Sequence, residues 1–127
     1  MNTPKEKNNQ ALIAIVDDDQ SFREALGSLL TLIGFRTAIF TSARNFLDSP
    51  QFPSVACAIL DVAMPGMDGL ELQRHLVATR PIPIIFITDL RDAYTREQAL
   101  RAGAISFLNK PFNEKTLFDA LDSALRP

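Results

Sequence analysis

Short, unbroken apolar runs recur along the chain, and several give way abruptly to an acid or a hydroxyl. Ala11-Leu12-Ile13-Ala14-Ile15-Val16 runs into Asp17-Asp18-Asp19, Val55-Ala56-Cys57-Ala58-Ile59-Leu60 into Asp61, and Ile84-Ile85-Phe86-Ile87 into Thr88-Asp89. Apolar runs of this length, without polar alternation, predict strands buried on both faces. Residues 35–40 and 105–108 read as two further strands. Between them the apolar positions switch to helical spacing. Phe22, Ala25, Leu26, Leu29, Leu30 and Ile33 predict a helix that Gly34 stops, with Ser21 and Glu24 as a capping box at its start. A short helix over 42–49 turns Ala43, Phe46 and Leu47 inward, and a turn-rich link over 50–54 follows. Residues 70–79 are helical. A helix over about 91–102 offers mainly the small Ala93, Ala99 and Ala102, with Leu100 as its one large aliphatic, and is expected to be the least firmly held. From Asn113 onward Leu117, Ala120, Leu121, Ala124 and Leu125 form an amphipathic stripe.

A strand followed by a helix, repeated along the whole chain, predicts an α/β fold: a parallel sheet covered by helices on both faces. Right-handed crossovers narrow this to a doubly wound arrangement. In such a sheet the carboxyl ends of the strands share one edge, where ligands bind. That edge gathers Asp17, Asp18 and Asp19 after the first strand, Asp61 after the third, Thr88 after the fourth and Lys110 after the fifth.

At 127 residues, 46% of them hydrophobic, the chain suits one compact domain, expected over 11–125, behind a disordered tail over 1–10. A net charge of -2 offers no basic excess for neutralising phosphate backbones, which argues against direct nucleic-acid binding by this domain. Cys57 is alone, so no disulfide framework is possible, and its apolar strand marks it as a small buried hydrophobe. No apolar run is long enough to span a bilayer and the first ten residues are too polar for a signal peptide, so no membrane association and a cytoplasmic location are expected.

The strand-end residues carry the chemistry. Carboxylates crowded together repel unless a cation compensates, and oxygen ligands alone favour magnesium, which prefers carboxylates, retained water and a phosphate oxygen. A lysine and a threonine hydroxyl beside that ion supply the positive charge and the donor that a transferring phosphoryl group needs. An aspartate can itself be the nucleophile, giving an acyl phosphate.

In these features the chain resembles the CheY-like receiver domain of two-component response regulators. The resemblance runs over nearly all of 11–125 and rests on motifs that agree in order and spacing: Val16-Asp17-Asp18-Asp19; Leu60-Asp61 with Met64-Pro65-Gly66-Met67-Asp68-Gly69; Ile87-Thr88; and Phe107-Leu108-Asn109-Lys110-Pro111-Phe112. It implies a flavodoxin-like fold with strand order 2-1-3-4-5 and a signalling phosphoacceptor, not an enzyme beyond its own phosphoryl transfer and dephosphorylation. Position by position, it implies that Asp61 accepts a phosphoryl group from a sensor histidine kinase and that Asp18 holds Mg2+ directly. Asp17 holds the ion largely through water, and the Ala63 backbone carbonyl is a further ligand. Thr88 and Lys110 bind phosphoryl oxygens, the Lys110-Pro111 peptide is cis, and Phe107 is the switch aromatic that turns inward as Thr88 moves toward the phosphoryl group. The phenylalanine switch and the Lys-Pro-Phe ending resemble regulators that carry a carboxyl-terminal helix-turn-helix effector acting on transcription. Phosphorylation-dependent homodimerisation through residues 91–107 is expected, with Arg91, Arg96 and Arg101 pairing with a partner's acids.

Asp89 departs from the family pattern, which has a small residue there. Two unit charges about 5 Å apart repel by roughly 3 kcal/mol at an effective dielectric near 20, so Asp89 should slow phosphorylation. Ala63 and Leu90 carry no polar group to place an attacking water, so the phosphoryl group should be long-lived. Two other readings stand beside this one. A haloacid-dehalogenase-type phosphatase needs a second acid two residues after the nucleophile, where this chain has Ala63. A pseudo-receiver, an interaction module not regulated by phosphorylation, is the stronger rival because of Asp89. His75, on a helix beside Leu72 and Leu76, reads as a surface residue.

Overall fold

The computed structural model describes residues 10–126. Nearly all of the expected tail, residues 1–9, lies outside the described residues; Gln10 is exposed, and its carbonyl accepts a hydrogen bond from Arg36.

Five parallel strands form one sheet in the order β2-β1-β3-β4-β5: β1 (Leu12–Val16), β2 (Arg36–Phe40), β3 (Val55–Leu60), β4 (Ile84–Thr88) and β5 (Ser106–Asn109). The helices are α1 (Gln20–Leu32), α2 (Ala43–Asp48), α3 (Gly69–Thr79), α4 (Ala93–Arg101) and α5 (Glu114–Leu125). A 3-10 turn, Phe52–Ser54, leads into β3. The expected flavodoxin-like order is the observed one.

Alternation along each strand sends successive side chains to opposite faces and so builds two cores. Ala14, Val16, Ala58, Leu60 and Phe86 pack with Phe46 of α2 and with Leu72 and Leu76 of α3. Ile13, Ile15, Cys57, Ile59, Ile85 and Ile87 pack with Leu26 and Leu30 of α1 and with Leu117 and Leu121 of α5. Each large aliphatic side chain taken out of water here contributes about 1.5–3 kcal/mol before conformational entropy is subtracted. No helix among the described residues is long and apolar enough to cross a membrane.

The start of α1 differs from expectation. The cap of α1 is Asp19, which accepts from the Phe22 N–H at 3.2 Å; Ser21 lies within the first turn, and the Glu24 carboxylate accepts from the Gln20 side chain instead. The third acid of the triplet reaches the free amides first, so the helix begins before the expected box can close. A capping box forms on α3 instead, where Asp68 accepts from the Glu71 N–H at 2.8 Å and Glu71 accepts from the Asp68 N–H at 3.0 Å. On α4, Ala93 and Ala102 are exposed, and the buried pair is Thr95 and Ala99. Asp92 caps the helix and draws the Thr95 hydroxyl to itself at 2.7 Å, so a polar residue takes an inner position assigned to alanine. The buried face of α4 is made of small side chains. Gln73 of α3, buried, supplies a polar tie by donating to the Ala99 carbonyl at 2.9 Å.

Candidate functional site

Register brings the acids together. Val16 and Leu60 are paired across β1 and β3, so the residues that follow them, Asp17 and Asp61, leave neighbouring strands side by side. The Asp61 N–H donates to the Val16 carbonyl at 3.1 Å, extending the ladder into the loop. With β1 flanked by β2 and β3, this gap is where the strand order reverses, the usual ligand crevice of an open α/β sheet. Thr88 pairs with Asn109, which delivers Lys110 to the same edge.

Asp17 and Asp61 are buried, Asp18 and Asp19 exposed. Lys110 Nζ lies 2.9 Å from Asp17 Oδ2 and 3.5 Å from Asp61 Oδ2, and the Phe22 ring centroid is 4.1 Å from the same nitrogen. Asp17 Oδ1 accepts from the Asp19 N–H at 2.8 Å, and Asp61 Oδ1 from the Ala63 N–H at 3.3 Å. Burial pushes the Asp17 carboxyl above its ordinary 3.8; the hydrogen bonds from Asp19 and Lys110 oppose this, and the neighbouring Asp61 charge adds to it. Burial works to lower the Lys110 ammonium, but the hydrogen bond to Asp17 and the charges of Asp17, Asp61 and Asp89 outweigh it, so its pKa is raised above 10.5. Asp17, Asp61 and Asp89 all act on one ammonium, so the carboxylates around Lys110 outnumber the positive charge there.

Asp17, Asp18 and Asp61 each bring one carboxylate oxygen to within 4.8 Å of the others. That all-oxygen set, short of positive charge, fits a hard divalent cation such as Mg2+. Asp19 caps α1 and is not among these acids, and Ala63, an exposed residue, follows Asp61 by two positions.

The Thr88 side chain is buried, and its Oγ1 accepts from the Leu90 N–H at 3.2 Å, leaving the hydroxyl free to donate. Phe107 is buried at 5% exposure against Phe86, with ring centroids 5.8 Å apart. The apolar ring fills the space beside Phe86 and has no hydroxyl to draw it to the surface. The Lys110-Pro111 peptide is cis. Asp89 and Leu90 are exposed, and Asp89 borders a hollow next to Lys110 without belonging to the acidic cluster. His75 lies on the exposed face of α3, and Cys57 is fully buried, its thiol pushed up to about 12 by burial.

Several contributors escape a reading of the sequence. Asn109 donates to the Thr88 carbonyl at 3.2 Å and to the Leu90 carbonyl at 2.8 Å, and Arg91 donates to the Lys110 carbonyl at 2.9 Å, so the loops after β4 and β5 are tied together. Arg23 of α1 donates to the Asp17 carbonyl at 2.8 Å. Within the chain, Arg91 reaches the Lys110 carbonyl and Arg101 pairs with Glu97 on its own helix, both at the exposed surface. Gly69 packs on the Asp61 loop: a Cβ there meets the Asp61 carbonyl oxygen at 2.2 Å, and the Gly69 N–H donates to the Val62 carbonyl at 2.8 Å. The Asp68-Gly69 pair was the only sequence signal for this packing; the arginines and Asn109 had none.

The family model for the response regulator receiver domain matches residues 13–122. The chain belongs to this family. It is 45% identical over 118 residues to the response regulator protein TmoT of Ectopseudomonas mendocina, covering 92% of this chain and 54% of that protein. It is 38% identical over 115 residues to the transcriptional regulatory protein FixJ of Bradyrhizobium diazoefficiens, covering 90% of this chain and 56% of FixJ. Among solved structures the response regulator StyR superposes with a TM-score of 0.83 at 44% identity, over 91% of this chain and 59% of that one. The receiver domain spans about half the length of the curated relatives it matches. As a receiver domain of the response regulators it is a component of two-component signal transduction.

Proposed function

We propose that the domain is a phosphoacceptor switch in which Asp61 takes a phosphoryl group from the phosphohistidine of a sensor histidine kinase. An Asp61 carboxylate oxygen attacks phosphorus, the phosphorus–nitrogen bond breaks, and the imidazole leaves and recovers a proton from solvent. The observation that carries this reading is the convergence of Asp61 with Asp17 and Lys110 at the strand-order reversal, within hydrogen-bond reach of one ammonium. Asp17, Asp18 and Asp61 would hold Mg2+, with the Ala63 carbonyl as a further ligand, and the ion would offset the negative charge on the phosphoryl oxygens. Lys110, already facing Asp61, pairs with one of those oxygens, and the free Thr88 hydroxyl donates to another. In moving there Thr88 pulls on the Leu90 amide that it accepts from, and the loop leading into α4 follows.

The output is a changed α4–β5 face, where Leu90, Tyr94 and Ile105 are exposed apolar residues suited to phosphorylation-dependent self-association. The switch runs from Thr88 to Leu90, with Phe107, packed against Phe86, as the aromatic that responds to it. Relatives about twice as long, among them one called a transcriptional regulatory protein, support an effector that controls transcription. Asp17, Asp18 and Asp61 come together without Asp89, which weighs against the pseudo-receiver even though the Asp89 charge acts on Lys110. Incubation with acetyl phosphate and magnesium should put a hydroxylamine-labile phosphoryl group on the wild type and none on Asp61→Asn. A label that persists on the variant rules Asp61 out as the acceptor.

A further inference from the structure

We propose that Phe22 is a positioning residue for Lys110: its ring holds the ammonium in the gap between Asp17 and Asp61 and keeps it from the outer carboxylate, Asp89. This rests on Asp61 being the phosphoacceptor. The Phe22 centroid lies 4.1 Å from Lys110 Nζ, close enough for the negative face of the ring to attract the cation. Two N–H donors of the ammonium turn inward, toward Asp17 at 2.9 Å and Asp61 at 3.5 Å. A lysine stem is flexible and its ammonium carries three donors, so two inward contacts alone leave it free to swing.

The ring is itself held. It meets Phe112 edge-on, with centroids 6.1 Å apart and planes at 84°, and the Phe22 N–H is the donor that Asp19 caps. Phe22 comes from the first turn of α1 and Phe112 from just beyond Lys110-Pro111, so the aromatic pair joins the two segments that carry the acids and the lysine. On the outer side of the ammonium lies a hollow of about 500 Å³ lined by Asp19, Ser21, Phe22, Asp89, Lys110 and Phe112. Asp89 is exposed there, able to take the lysine if the ring is lost. An aromatic face attracts the cation without adding a further negative charge, so the ammonium shared by Asp17 and Asp61 stays beside them. A carboxylate in the same place holds the lysine outward and cancels its charge.

The test uses the 127-residue chain, acetyl phosphate with magnesium as the phosphodonor, and proton–carbon correlation spectra of the lysine ε-methylenes. In the wild type the Lys110 ε-methylene should be shifted upfield by the ring. Phe22→Leu, which keeps an apolar side chain of similar bulk, should lose that shift and be labelled about three- to tenfold more slowly, the factor a cation–π contact of ordinary strength corresponds to. Phe22→Tyr should restore both shift and rate. In Phe22→Leu/Asp89→Ala the competing acid is gone, and the rate should return to within about twofold of Asp89→Ala, since coupled neighbours do not add. The proposal is overturned if the wild type shows no upfield Lys110 signal, if Phe22→Leu is labelled at the wild-type rate, or if the double variant stays as slow as Phe22→Leu. A wild type that takes no label defeats the phosphoacceptor reading instead, and the Lys110 signal then still tests the contact by itself.

Discussion

Replacing Gly69 by alanine sets helix propensity against backbone packing at the site. Gly69 opens α3, and alanine is the better helix former by up to about 1 kcal/mol in a helix interior. A Cβ at this position, however, meets three backbone atoms: the Asp61 oxygen at 2.2 Å, the Val62 Cα at 2.9 Å and the Asp61 carbonyl carbon at 3.0 Å. None can rotate away as a side chain could, so the loop after β3 must shift, at the roughly 1–3 kcal/mol typical of overpacking. Taking the net loss as about 2 kcal/mol, and an unfolding entropy near 2.1 cal/mol/K per residue, the melting temperature should fall by roughly 8 °C. Gly27→Ala is the internal control, because a Cβ there meets only Ile39 Cγ2 at 3.7 Å and Ile15 Cδ1 at 4.0 Å. In mid-helix that substitution should stabilise by about 0.5–1 kcal/mol, raising the midpoint by roughly 2–4 °C. Thermal and urea unfolding of the three proteins, with acetyl phosphate labelling alongside, reads both effects. Gly69→Ala should also be labelled more slowly, because the displaced backbone carries Asp61. A Gly69→Ala protein as stable as the wild type refutes the claim that the α3 start is packed on the Asp61 loop.

Magnesium at 100 times its dissociation constant should stabilise the wild type by about 2.7 kcal/mol. Asp18→Ala should lose this while Asp19→Ala keeps it at the cost of a helix cap; equal losses in a thermal titration show that the ligands are misassigned. Asp89→Ala should speed both labelling and loss of label, since an exposed negative charge next to Lys110 is removed; unchanged rates mean that Asp89 has no part in the chemistry. Above the ordinary thiol value of 9.0 the unfolded chain sheds the Cys57 proton, whereas the native thiol, pushed up to about 12 by burial, keeps it. Stability is therefore fully present below 9.0 and declines with rising pH, by up to about 1.4 kcal/mol per unit from this group. Cys57→Ala should flatten that alkaline limb, and an identical slope contradicts the assignment. Gln73→Leu removes the buried link to the Ala99 carbonyl and should raise amide exchange in α4 before the rest of the domain; uniform exchange shows that the link does not hold the helix.

The run of buried strands and its polar interruptions made the fold and the principal acids legible from the sequence alone. Val55–Leu60 ending at Asp61 carries the signal locally, because a strand buried on both faces has no reason to stop at a carboxylate unless the loop uses it. Helical spacing likewise revealed the inner faces of α1 and α5, where Leu26, Leu30, Leu117 and Leu121 are buried. What sequence spacing cannot carry is contact between residues far apart in the chain. Lys110 and Asp17 meet across 93 positions, and whether the ammonium also reaches Asp61, Phe22 or Asp89 is decided by strand register and the packing of α1 on the loop after β5. The ties made by Asn109, Arg91 and Arg23 end on backbone carbonyls, which every residue has, so no residue type marks the acceptor. Caps were misread for a similar reason: Asp19 and Ser21 both suit an N-cap, and only the exit path of β1 sets which of them reaches the free amides. Phe107 shows the same division, since its apolar character was plain in the sequence, but its inward position was decided by the space beside Phe86.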